Sequence, residues 1–240
     1  TMFSGGSRVL VEHPHLQIIA LTIAVMLLFL SAISLILFTI SFNYSYWLIL
    51  FGIFGGLLGW FYTAPPLKLS YRGFGEIATM IAVGLLMPGL GYFVAAGTIS
   101  YLFILFMIPL SAYGLFFIIS VELPDLESDM LSRKRNLVVI IGRKKANMTL
   151  IIASTIGTLS LLIIDQLGLM SISLIPTIAL STLPFISAII CYISESEDRR
   201  ITVKQVFSNM TSLIILIFGM NINLLIQYLI ASLSVLCLNQ

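Results

Sequence analysis

Residues 121–142, VELPDLESDMLSRKRNLVVIIG, hold four carboxylates in eight positions, Glu122, Asp125, Glu127 and Asp129, and then three bases, Arg133, Lys134 and Arg135. Asp125 and Asp129 are four apart, so on a helix they share a face. Pro124 is tolerated in a first helical turn, which puts Asp125 at the positive end of such a helix. Two carboxylates on one face suit a hard divalent cation such as Mg²⁺, which keeps several waters and takes phosphate oxygens to complete its shell. The bases that follow can contact those same oxygens. Spacing alone also fits a solvated loop whose acids offset its bases. Glu127 points away from the Asp125/Asp129 face, and Glu122 closes an apolar run.

Two other segments carry donors for an anion. In YTAPPLKLSYRGFGE (residues 62–76), Pro65 and Pro66 stop one apolar run and Gly73 and Gly75 precede the next. Between them Tyr62, Lys68, Tyr71 and Arg72 can bind phosphate or anchor the chain at a membrane interface. Glu76 reads as a carboxylate at a helix start. The stretch SGGSR, ending at Arg8, can present backbone N–H groups to an anion. His13 and His15 read as interfacial residues.

The elements that must position these residues are membrane spans. The chain has 240 residues, 59% hydrophobic and 9% charged, with a mean hydropathy of +1.11; a soluble domain carries roughly a quarter charged residues. Apolar runs long enough to cross a bilayer, which takes about 20 helical residues, occur at 16–40, 46–63, 77–97, 99–121, 148–164, 170–193 and 211–235. Period-two alternation is absent, which argues against a membrane barrel. The expected fold is an all-α, polytopic transmembrane bundle of seven spans forming one integral membrane domain over 1–240.

Numbering the loops by these spans puts all 12 basic residues on one side, and of the 10 acidic residues only Asp165 on the other. The positive-inside rule makes the charged side cytoplasmic, in an integral inner membrane protein. Gly52, Gly55, Gly56 and Gly59 form small-x-x-x-small pairs that let helices approach. Pro88, Pro109, Pro176 and Pro184 are expected to bend or open their spans around a cavity. Asn209, Asn221, Asn223 and Gln227 read as interhelical hydrogen-bonders, and Cys191 and Cys237 as buried packing thiols.

YTAPPLKLSYRGFGE followed by PDLESDMLSRKRNLVVIIGR resembles the UbiA superfamily of membrane prenyltransferases, most nearly its 1,4-dihydroxy-2-naphthoate polyprenyltransferase branches of menaquinone synthesis. FSGGSRVL is similar to the segment that follows the first Asp-rich motif there. The resemblance implies nine helices around a cavity, Mg²⁺ as cofactor, a polyprenyl diphosphate and an aromatic acceptor as substrates, a lipid bilayer as surroundings and no nucleic-acid partner. It makes Asp125 and Asp129 catalytic metal ligands in the second Asp-x-x-x-Asp motif. Lys134 falls on a GKRTL-like pattern as a diphosphate contact, and Tyr62, Lys68, Arg72 and Arg8 are further substrate-binding candidates. The first motif and two spans have no counterpart in these residues, so an amino-terminal segment is expected to be missing. Val121 stands where Asn is common, and Arg133 where Gly is usual. The rival readings are a lipid-binding or transport protein without chemistry, and an inactive paralogue lacking the first motif. No charged residue lies deep in a span, which counts against ion-coupled transport.

Overall fold

A computed structural model describes residues 9–170 and 172–238, with side chains described as far as Ile230. After a single turn, α1 (Val9–Glu12), come α2 (Leu16–Ser41) and α3 (Trp47–Thr63). The third apolar run forms α4 (Gly75–Ile81), a π-helical turn (Ala82–Leu86) and α5 (Met87–Ala96). The long α6 (Tyr101–Glu122) leads into two short helices, α7 (Leu126–Leu131) and α8 (Leu137–Ile141). Then α9 (Arg143–Gln166), α10 (Ile175–Ile193) and α11 (Arg199–Leu238) complete the chain.

Six of these helical stretches have at least 18 residues and the hydropathy to cross a membrane. The seventh expected span, α3, has 17 residues, about 26 Å at 1.5 Å per residue. The polytopic helical bundle is therefore as expected, with boundaries that shift. α9 starts at Arg143 and α11 at Arg199, well before the apolar runs inside them, because their basic first turns continue the helix outside the apolar layer. α10 starts at Ile175 with Pro176 in its first turn, so Pro176 begins a helix and does not bend one.

The core lies where α6, α9, α10 and α11 meet, around Phe116, Ile119, Leu150, Leu161 and Val206. Lipid is as apolar as leucine, so cohesion here must come from close backbone approach and polar clamps. Asn209 supplies one clamp, donating to Ser120 Oγ at 3.0 Å and accepting from Ser187 Oγ at 2.6 Å. Asn223 and Gln227 supply another, both donating to the Ser173 carbonyl. Asn221 instead donates to Ile217 of its own helix, and Gln227 reaches the loop before α10 and Asn223. Two of the four expected interhelical amides thus act between helices, Asn209 and Asn223, the latter donating to Thr177 Oγ1 of α10. Cys191 is buried beside Asn209; the side chain of Cys237 lies outside the described residues.

Close approach comes at particular glycines. A Cβ on Gly84, in the π turn, would fall 2.6 Å from the backbone N and Cα of Ser111 in α6. Gly52 abuts Leu35 of α2, as expected for a small-x-x-x-small pair. Gly56 and Gly59 have no atom within 4 Å of a built Cβ, and Gly55 and Gly59 line a cavity instead. The cavity has a cause in the sequence. Pro88 has no N–H to give the preceding turn and its ring crowds the carbonyl four residues back. The chain widens into the π turn just before it. Pro109 and Pro184 sit buried inside α6 and α10.

Gly84→Ala is expected to lower the stability of the detergent-solubilised protein by about 1–3 kcal/mol, the range for overpacking. Gly59→Ala is expected to leave it unchanged or raise it by up to about 1 kcal/mol, the helix preference of Ala over Gly. Thermal unfolding of both variants beside the parent checks the contrast.

Candidate active site

The carboxylate-rich segment is sunk at the end of α6. Glu122, the last residue of that helix, is 5% exposed, and Leu123 and Pro124 are buried with it. Asp125 ends a 3₁₀ turn and stands at the position before α7, half-buried. Asp129 follows within α7, so the two motif aspartates belong to adjoining turns of different kind. Arg199, at the start of α11, approaches Asp125 Oδ1 at 3.7 Å. Glu127 pairs with Arg143 on the outer side.

After α7 the chain must turn back on itself. Arg133 does this with φ +57°, in the left-handed region that favours glycine. The turn is closed by Lys134 N donating to the Asp129 carbonyl at 3.0 Å. It also carries the Lys134 ammonium to Asp129 Oδ2 at 3.0 Å and within 3.9 Å of Glu122 Oε1. Asn136, fully buried, donates to Asp129 Oδ2 at 2.7 Å and accepts from Val139 N at 2.8 Å as the cap of α8. Burial acts to lower the Lys134 pKa, but its hydrogen bond to Asp129 and the charges of Glu122 and Asp129 prevail and raise it above the ordinary lysine value.

The 64–74 loop closes the other side. Lys68 also has a left-handed backbone, φ +46°, and leads into a short 3₁₀ turn, Leu69–Tyr71. Ser70 Oγ donates to the Tyr62 carbonyl at 2.8 Å. A Cβ on Gly75 would meet Ser70 Cα at 3.0 Å and the Tyr62 hydroxyl at 3.5 Å, so glycine eases the packing of the start of α4 against the 64–74 loop. The Tyr62 hydroxyl reaches Thr79 and senses the charges of Glu122, Lys134 and Glu76. Glu76, 2% exposed, turns from the first turn of α4 toward α8 and accepts from Leu137 N.

The structure thus gathers Tyr62, Glu76, Glu122, Asp129, Lys134 and Asn136 into one cluster. Asp125 stands at its α11 side. Lys68 and Arg72 are exposed on the loop packed against residues 135–140. Arg8 and the SGGSR stretch lie outside the described residues. Glu76 and Asn136 were not among the candidates. Glu76 is not a simple helix-start carboxylate, since its acceptor oxygen serves another helix. The sequence signal for it was a lone carboxylate directly followed by an apolar run, which predisposes it to burial.

A cavity of about 360 Å³ opens between α3 and α4, lined by Gly55, Gly59, Tyr62, Thr79, Ala82 and Leu86 among others. Its walls are apolar apart from Tyr62 and Thr79, and Tyr62 joins it to the charged cluster. A second hollow of about 510 Å³, between α4, α6 and α9, has Ser111 as its one polar lining residue.

A family model described as the UbiA prenyltransferase family matches residues 8–213. The chain belongs to the UbiA prenyltransferase family. It is also 31% identical over 100 residues to 1,4-dihydroxy-2-naphthoate octaprenyltransferase of Bacillus subtilis (strain 168). That match covers 42% of this chain and 32% of the relative, so it spans about a third of the curated relative's length. No solved structure matches. Family membership and the apolar helices together make this an integral membrane protein of the prenyltransferase class.

Two outcomes follow from the turn after α7. Arg133→Gly is expected to raise stability by up to about 1 kcal/mol, because the left-handed backbone disfavours a side chain there; denaturation in detergent reads this. The raised Lys134 pKa means that its ion pairs contribute fully below the unfolded lysine value and are lost only as pH climbs through the higher folded value. The stability gap between the parent and Lys134→Met should therefore stay constant from about pH 6 to about pH 8, as followed by thermal unfolding.

Proposed function

We propose that this chain belongs to an enzyme that moves a polyprenyl group from its diphosphate to an aromatic acceptor. The acceptor class is that of the naphthoate relative, in quinone (menaquinone) biosynthesis. The observation that carries the reading is the convergence of Asp129, Lys134, Glu122 and Tyr62 at an apolar cavity between α3 and α4.

The donor set fits a magnesium ion. Asp125 and Asp129 offer hard carboxylate oxygens, and Glu122 shares the Lys134 ammonium with Asp129. No group of three or more His, Cys, Asp or Glu side chains among the described residues makes a metal cage by itself. That is the situation in which magnesium is completed by substrate phosphates and water. Asp125 and Asp129 would hold the ion, whose chemistry there is to neutralise charge on a departing diphosphate.

The side chains supply the rest. Lys134 would address the diphosphate oxygens from within the cluster, with Tyr62 donating beside it, and Lys68, Arg72 and Arg8 would do so from the neighbouring segments. The allylic C–O bond breaks with its electron pair leaving on the diphosphate. An electron-rich ring carbon of the acceptor then attacks the allylic cation, and the ring proton is lost. Gly55, Gly59, Ala82 and Leu86 would bed the isoprenoid tail and keep water from the cation. With all 12 basic residues on one side, that diphosphate end faces the cytoplasm in a cell inner membrane.

The test uses membranes carrying the full-length protein, labelled polyprenyl diphosphate, Mg²⁺ and 1,4-dihydroxy-2-naphthoate. Asp125→Ala and Asp129→Ala are each expected to lower transfer by about 10²–10³-fold, the scale for removing one electrostatic stabiliser. Transfer that is absent in the parent, or equal in parent and variants, would reject the reading.

A further inference from the structure

We propose that Glu76 is a positioning residue that sets the Asp129 carboxylate for its ligand, an inference that rests on the prenyltransferase reading. Leu137 N–H is the first amide of α8, one of the orphan donors that every helix start exposes. α8 has only five residues, too few to be stable alone, so its position depends on what grips its ends. One grip is its own cap, Asn136. The other is Glu76, which comes from α4, 61 residues away in sequence, and accepts that amide through Oε1.

Asn136 cannot move without Asp129. Its amide and the Lys134 ammonium both donate to the same oxygen, Oδ2, at 2.7 and 3.0 Å. One carboxylate oxygen is thus fixed from behind, which orients Oδ1 as the oxygen to offer. Glu76 therefore acts at two removes, from Leu137 to Asn136 to Asp129. It also joins the start of α4, which follows the loop bearing Lys68 and Arg72, to the start of α8, which follows the turn bearing Lys134. Its second oxygen, Oε2, is buried with no hydrogen-bond partner among the described residues, and the Glu122 carboxyl lies against the Glu76 carboxyl. A carboxyl held in such surroundings is a poor choice for cohesion alone, since an apolar residue would avoid the desolvation.

The experiment compares Glu76→Ala, Glu76→Gln and Leu137→Pro in the full-length protein. Gln keeps the acceptor oxygen. Pro at the first position of a helix removes the N–H while fitting the backbone, and the extended backbone of Asn136, ψ 169°, suits a residue before proline. Hydrogen exchange of residues 134–141 reads the latch without any turnover. Faster exchange is expected in Glu76→Ala and in Leu137→Pro, and parent-like exchange in Glu76→Gln. In the transfer assay, Glu76→Ala should raise the half-saturating Mg²⁺ concentration about 10–100-fold, the usual effect of an outer-shell partner, with kcat changed far less. Glu76→Gln should restore it, and Leu137→Pro should match Glu76→Ala without adding to it in the double variant. Unchanged Mg²⁺ dependence in Glu76→Ala, a Gln variant as impaired as Ala, or additive effects would each overturn the proposal. Should Glu76→Ala not fold, the Gln and Pro variants decide it alone. A parent that transfers nothing would sink the prenyltransferase reading, while altered exchange would still report the latch.

Discussion

Two carboxyl groups, those of Glu122 and Asp129, flank a single ammonium, that of Lys134, at the edge of an apolar bundle, and a third, that of Glu76, lies against Glu122. A carboxylate removed from water must be matched by donors or opposite charge, and this requirement organises the surrounding chain. It brings the end of α6 below the surface, forces the left-handed turn at Arg133 that returns Lys134 to Asp129, and pulls α4 close enough for Glu76 to reach α8. Gly75 eases the packing of the start of α4, since a Cβ there would crowd Ser70. The left-handed turn at Arg133 is the backbone feature that returns Lys134 to Asp129.

The membrane part of the molecule answers a different constraint. Without a hydrophobic drive between helices in lipid, the bundle is tied by amide and hydroxyl clamps such as Asn209 with Ser120 and Ser187, each worth about 0.6 kcal/mol on average, and by contact at Gly84. The clamps sit in α6, α10 and α11, where the core is, and none of them reaches α3. The π turn before Pro88 adds width on that same side. The cavity lined by Tyr62 thus lies away from these clamps, and Tyr62 joins it to the charged cluster.

How much of this could be read from the chain alone varies by kind of interaction. The spans were legible because the bilayer fixes their length and composition. Asp125, Asp129 and Lys134 were legible as a short pattern of residue types. What no local pattern carries is a partner. Glu76 looks like any helix-start carboxylate until α8 stands opposite it, and Arg199 looks like any basic residue until α11 brings it to Asp125. Asn136 occupies a place where its type seemed incidental, yet it is the fully buried donor to Asp129. Of the four small-x-x-x-small glycines only Gly52 has a tight neighbour, because the spacing tells where a helix can approach and not whether one does.

The pairings within the cluster bear on how the proposed ligand would bind. Both aspartates of the motif already face a basic side chain, Asp125 near Arg199 and Asp129 with Lys134. A cation arriving by itself would have to compete with those bases and leave them without counter-charge in a partly dry site. A diphosphate arriving by itself would meet carboxylates at close range. Arriving together, the cation would take the outward carboxylate oxygens while Arg199 and the remaining N–H groups of Lys134 would meet the phosphate oxygens, so every charge would keep a partner. On the proposed reading, binding shares the existing ion pairs with the ligand and does not break the hold of Lys134 on Asp129 Oδ2. The site then discriminates against either ion alone through the charges it would strand, the same penalty that holds the ligand-free cluster together.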